Sequence, residues 1–287
     1  MAVNMTAPES QGNHGNRQSE LTHALAAVRS RLAAAAEAAG RNVGEIELLP
    51  ITKLFPATDV AILSRLGCRS VGESREQEAS AKVAEVARLT AASSWADLPA
   101  LQWHMVGHIQ RNKARSLAHW AHTAHSIDSP RLVAALDRAV SGALAEGRRQ
   151  DPLRVYVQVS LDGDVSRGGV DVTAPAAVDQ VCAQVEESKN LELVGLMGVP
   201  PLDWDPDVAF DLLRSEHRRV LESHPNAAGL SAGMSGDFEI AVKHGSTCVR
   251  VGTALLGPRP LPSPSIVTPV TSSSRAPQSE SPKSPEL

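Results

Sequence analysis

Eight extended apolar runs, each separated from the next by a helical stretch, constrain this chain more than any other feature. They are IELLPIT (46–52), CRSVG (68–72), LQWHMVG (101–107), HTAHSID (122–128), LRVYVQVSL (153–161), LELVGLMGV (191–199), AAGLSAG (227–233) and STCVRVG (246–252). Helical patterns fill the gaps at 57–66, 74–89, 110–119, 130–146, 174–188, 206–222 and 236–244. Such alternation makes a parallel sheet with right-handed crossovers. Eight units match the roughly 250 residues of a closed (β/α)8 TIM barrel better than an open doubly wound sheet, although strand number alone does not prove closure. No GxGxxG follows the first run, which argues against a dinucleotide site.

Upstream, Ser19 can cap a helix in which Leu21, Leu25, Val28 and Leu32 recur with helical period before Gly40. The barrel is therefore expected to carry an extra N-terminal helix. Residues 1–18 show no apolar period, and 258–287 are dominated by Pro and Ser. Both are expected to be disordered tails, because such compositions bury too little to offset ordering entropy. That leaves 19–257 as the barrel.

With 42% apolar residues the chain can bury a large core. A net charge of −4 gives no electrostatic footprint for nucleic acid or an anionic membrane surface. Cys68, Cys182 and Cys248 are too dispersed for a disulfide framework or a thiolate metal site. With no apolar segment for a signal peptide or a membrane span, a cytoplasmic protein is expected.

In a barrel the site lies at the C-terminal ends of the strands. Lys53, in LLPITKLFP, then sits at the end of the first strand, flanked by apolar neighbours. Met234, Ser235 and Gly236 follow the seventh strand, and Gly252 and Thr253 follow the eighth. These two loops commonly bind phosphate, because glycine admits an anion to the backbone and hydroxyls donate to it. Alone, each loop is also what an ordinary turn looks like.

In TCVRVG, Arg250 alternates with Val249 and Val251, so if the valines meet helices the guanidinium points inward. There it either holds a ligand or sits in an internal salt bridge. An imine-forming lysine, phosphate loops and an interior arginine suit pyridoxal 5′-phosphate (PLP). A permanent cation facing the pyridine nitrogen cannot favour its protonation, so such a site would hold the cofactor yet stabilise carbanions poorly.

Several ordered motifs carry a resemblance across residues 20–257. They are ITKLFP around Lys53, VGESREQE (71–78), WHMVGHIQRNK (103–113), HSID (125–128), SRGGV (166–170), GLMGVPP (195–201), LSAGMSGDFEIAV (230–242) and VRVGTALLGPR (249–259). The chain resembles the pyridoxal-phosphate homeostasis proteins, the YggS/PROSC family, relatives of the alanine racemase barrel domain. The resemblance implies that Lys53 carries the PLP Schiff base and Arg250 faces the pyridine nitrogen. It implies that Ser235, Gly252 and Thr253 bind phosphate, with Met234 beside the cofactor. Ser74 replaces the family's usual Asn, and a shorter hydroxyl would have to reach the ring oxygen. His108 is a second departure, preceding the Ile-Gln pair. The implied role is buffering or delivering PLP to apo PLP-dependent enzymes, by a monomer or weak dimer rather than an enzyme with turnover.

Two rivals use the same lysine. A racemase needs a second acid/base on the opposite substrate face, a tyrosine in alanine racemases. The sequence's one tyrosine, Tyr156, lies mid-strand, and residues beyond 257 offer no second domain, so racemase activity is disfavoured. A cofactor-free Schiff-base aldolase leaves the phosphate loops and Arg250 without a shared role. His104, His108, His119, His122 and His125 raise a metal reading, but they lack an HExxH helix and are expected to be solvated or hydrogen-bonded. Glu73, Glu76 and Glu78 read as a solvated helix start.

Overall fold

The computed structural model describes residues 11–91 and 100–258. Its strands are β1 (Glu47–Pro50), β2 (Ser70–Glu73), β3 (Gln102–Met105), β4 (Thr123–Ile127), β5 (Leu153–Ser160), β6 (Val170–Asp171), β7 (Leu191–Met197), β8 (Gly229–Ser231) and β9 (Cys248–Val251). The helices are α1 (Gln11–Ala38), α2 (Ala57–Arg65), α3 (Glu76–Ala91), α4 (Ala114–Ala118), α5 (Pro130–Ala145), α6 (Pro175–Glu187), α7 (Pro206–Ser223), α8 (Phe238–Lys243) and α9 (Thr253–Leu256).

All pairings are parallel, in the order β1-β9-β8-β7-β5-β4-β3-β2, and β6 joins only the end of β5. The last gap narrows where Ile51 bridges Gly72 and Thr52 N–H donates to Gly72 O at 2.9 Å. Eight strands thus form a nearly closed barrel, the expected architecture. The two-residue β6, within the SRGGV motif, is an addition the apolar pattern does not reveal. Where β7 meets β8, a Cβ on Gly195 would lie 1.7 Å from Gly229 O, so only glycine permits that approach.

Strand alternation divides the side chains. Val249 and Val251 face outward into a cluster with Leu21, Leu25, Val28, Leu32, Phe238 and Leu255. That packing seats α1 against α8 and α9. Cys248 and Arg250 face inward and are buried. All three cysteines are buried and free.

The N-terminal boundary differs from expectation. α1 starts at Gln11, upstream of Ser19, so residues 11–18 belong to the helix rather than to a tail. The cause is tertiary. Arg17 makes a two-point contact with the buried Asp59 of α2, Nη2 to Oδ2 at 2.6 Å, and donates to Leu256 O at 3.1 Å. Residues 1–10 and 259–287, the rest of the two expected tails, lie outside the described residues. Among the described residues no helix is long and apolar enough to cross a membrane.

Candidate functional site

Strand exits set the geometry of the barrel mouth. Lys53 follows β1 in a turn before α2 and is half-buried. Leu54, next in the chain, has φ 69°, the one positive φ outside glycine among the described residues. A branched side chain in that region stores strain of about 1 kcal/mol or more, and such residues concentrate at functional turns. Phe55, the next residue, is buried in the cluster with α1.

Beneath this turn lies a polar knot. Lys82 of α3 donates to Thr52 O at 2.8 Å and to Glu73 Oε1 at 2.7 Å, and Thr52 Oγ1 donates to the same carboxylate oxygen at 2.6 Å. Glu73 is fully buried, and its Oε2 has no hydrogen-bond partner. The expectation of a solvated Glu73 is therefore wrong: as the last residue of β2 it is enclosed by the barrel wall, and Lys82 neutralises it. Glu76 and Glu78, in the first turn of α3, are partly exposed as expected.

On the opposite side of β1, the loops after β8 and β9 meet. Ser235 Oγ accepts from Gly252 N–H and Ala254 N–H, each at 3.3 Å. Two amides converging on one oxygen make an anion cradle. Thr253 and Met234 are exposed beside it. The register Pro50↔Val251 and the bond from Ile51 N to Val251 O at 2.9 Å set this cradle next to the exit of β1.

Arg250 points into the barrel as expected. Nη1 donates to Ser231 Oγ at 2.6 Å and Nη2 to Gly198 O at 3.0 Å. Among the described residues no carboxylate lies within ion-pair distance of it, so the salt-bridge alternative is not what holds it. Burial lowers its pKa, with Cys248, Asp237 and Tyr156 opposing; a guanidinium ordinarily titrates far above neutral and stays charged.

Ser74 sits apart from the cradle, on the β2–β3 side. It lines a cavity of about 340 Å³ with Met105, His108 and Lys113. Gly107 packs closely on Ser74: a Cβ there would fall 2.0 Å from Ser74 O. The structure thus groups Lys53 with the Gly252, Thr253, Ser235 and Met234 loops. It sets Arg250 inside and Ser74 on the β2 side of the β1 exit, where Thr52 N–H donates to Gly72 O.

The histidines divide as well. His108 is exposed, with Asp128 at 3.9 Å. His104 and His125 are buried and hydrogen-bond each other at 3.0 Å. Burial lowers both, His104 to about 4, so both are neutral at pH 7. Among the described residues no group of three or more His, Cys, Asp or Glu is placed to hold a metal. Lys82 is the site-proximal group that sequence reasoning missed, Glu73 the one it misread, and the His104–His125 pair is hydrogen-bonded as expected.

The family model of the alanine racemase N-terminal domain matches residues 24–260. A Mycobacterium leprae protein named pyridoxal phosphate homeostasis protein is 78% identical over 250 residues, which is 87% of this chain and 97% of that one. The crystal structure of an unknown protein from Bifidobacterium adolescentis has a TM-score of 0.73 and 31% identity, covering 88% of this chain and 98% of that one. The structure of PipY from Synechococcus elongatus with PLP bound has a TM-score of 0.67 and 31% identity, covering 83% of this chain and all of that one. The chain belongs to the pyridoxal phosphate homeostasis proteins, within the family of the alanine racemase N-terminal domain.

Proposed function

We propose that this protein binds PLP covalently and reversibly and takes part in PLP homeostasis. The observation that carries the reading is the convergence of the Gly252 and Ala254 amides on the Ser235 hydroxyl, beside the Lys53 turn. A donor set of two amides and a hydroxyl suits a phosphate, and the half-buried Lys53 supplies the amine. The cofactor supplies an aldehyde that a lysine captures as a Schiff base. In this reading Ser235, Gly252 and Thr253 would hold the phosphate, with Met234, Arg250 and Ser74 as the residues that would hold the ring. The names of the relatives, and the PLP bound in PipY, support it.

The chain's own residues favour holding over turnover. Arg250 is a fixed cation with no proton to share. Tyr156, the sequence's one tyrosine, is buried with its ring stacked on His125 at 4.6 Å. Burial pushes its hydroxyl pKa up, which removes it as a second base for racemisation. Buffering of PLP, or delivery to apo PLP-dependent enzymes, is the role we assign, in the cytoplasm and as a monomer or weak dimer.

The test is direct. Purified protein incubated with PLP should turn yellow, and borohydride should fix a pyridoxyl phosphate on Lys53, found by peptide mass spectrometry. Lys53→Ala should stay colourless. A wild-type protein that remains unlabelled would overturn the proposal.

A further inference from the structure

Three linked hydrogen bonds run through the barrel interior from His104 to Arg250. Ser231 Oγ, which accepts from Arg250 Nη1 at 2.6 Å, lies 2.9 Å from His125 Nδ1. His125 Nε2 lies 3.0 Å from His104 Nδ1. His104 Nε2 faces Glu47 Oε1 at 3.8 Å, in ion-pair range but beyond a direct hydrogen bond. Ser231, His125 and His104 are at most 2% exposed. Glu47 is the first residue of β1, is about one-third exposed, and also accepts from the Ser70 hydroxyl.

One order of protons sets a donor against an acceptor at every step from Glu47 to Arg250, with Cys248 beside both Glu47 and Ser231. Glu47 as a carboxylate only accepts, so the His104 nitrogen facing it carries the hydrogen. A neutral His104 then has a lone pair at Nδ1, and His125 must donate to it from Nε2. That leaves a lone pair at His125 Nδ1, which takes the Ser231 hydroxyl proton. Ser231 in turn has a lone pair for Arg250. Reversing the chain would set the His104 Nε2 lone pair facing the Glu47 carboxylate, which the forward order avoids. The resulting dipoles all present their negative ends toward Arg250 and their positive ends toward Glu47.

We infer that Glu47, His104, His125 and Ser231 are positioning residues for Arg250: a proton-ordered chain that fixes the guanidinium and conveys to it the field of a carboxylate it does not touch. This explains how a buried cation is accommodated without an ion pair, which isolated would be costly. It deepens the proposed PLP reading only in its last readout, because Arg250 there would hold the ring.

The decisive measurement needs neither cofactor nor mutation. In uniformly ¹⁵N-labelled protein at pH 7, long-range ¹H–¹⁵N spectra should show both rings neutral and protonated at Nε2. A ring protonated at Nδ1, or doubly protonated, overturns the ordering. In Glu47→Gln the ring nitrogen shifts of His104 and, one ring further, His125 should both move; unchanged His125 shifts overturn the coupling. In PLP-loaded protein Glu47→Gln should also displace the pH midpoint of the visible band, and an unmoved midpoint overturns the role at Arg250. If no visible band forms even in wild type, the PLP reading fails, and the two spectral tests still decide the chain.

Discussion

Lys82 and Glu73 form an ion pair of 2.7 Å directly beneath the residue that precedes Lys53. Glu73 is fully enclosed and Lys82 only 10% exposed at its side chain. Removing one partner of such a pair leaves an uncompensated charge, at about 3–5 kcal/mol. Lys82→Met should therefore lower stability by that order in urea unfolding. Adding Glu73→Gln should restore part of the loss. Strict additivity of the two substitutions, within about 0.5 kcal/mol, would show that the pair is not coupled.

Ser235 offers a sharper probe of the cradle. Its two accepted bonds are long, 3.3 Å each, so Ser235→Ala should change stability by only about 1 kcal/mol. A hydrogen bond to an anion contributes about 1.5–3 kcal/mol, so Kd for PLP should rise roughly tenfold or more. Pyridoxal, which lacks the phosphate, should bind both proteins equally. Equal losses for the two ligands in equilibrium titration would place the phosphate elsewhere.

Much of the fold was legible because parallel barrel strands are buried on both faces and read as continuous apolar runs, as LRVYVQVSL does. Arg250 was legible because the two valines flanking it had to face helices. Glu73 was not, since the acidic stretch GESREQE looks like a helix start whether or not β2 encloses its first member. The His104–His125 contact joins β3 to β4, and Ser231 adds β8. Proximity of that kind follows from barrel closure, and no local spacing encodes it. β6 escaped for a similar reason, being two residues held only by the end of β5.

Acid stability follows from the buried histidines. The unfolded chain binds protons at its histidines below about pH 6.5, whereas folded His104 resists until about 4 and His125 is also held well below its ordinary value. The unfolded state therefore carries more protons between these limits, and stability must fall as pH falls through that window. Each such histidine contributes a slope of up to about 1.4 kcal/mol per pH unit. Calorimetry in buffers of different ionisation enthalpy should find proton uptake on unfolding at pH 5, and none from these groups at pH 8. Proton release at pH 5 would contradict their burial as neutral rings.

The segment before Ser19 supplies the last prediction. Arg17 reaches Asp59 in the first turn of α2, and its guanidinium also lies 5.9 Å from the ring centre of Phe55, two residues after Lys53. A chain starting at Ser19 would leave the Asp59 carboxylate buried without that donor. An unsatisfied buried group costs about 1–3 kcal/mol, and each kcal/mol corresponds to about 2–4 °C in Tm for a domain of this size. Arg17→Ala in the full chain should lower Tm nearly as much as the truncation does, because the guanidinium supplies most of what the segment contributes. A truncation that costs nothing would return residues 11–18 to the status of a tail. A truncation far worse than Arg17→Ala would shift the credit to the rest of the α1 start. Either result would change the account of what holds the turn that presents Lys53.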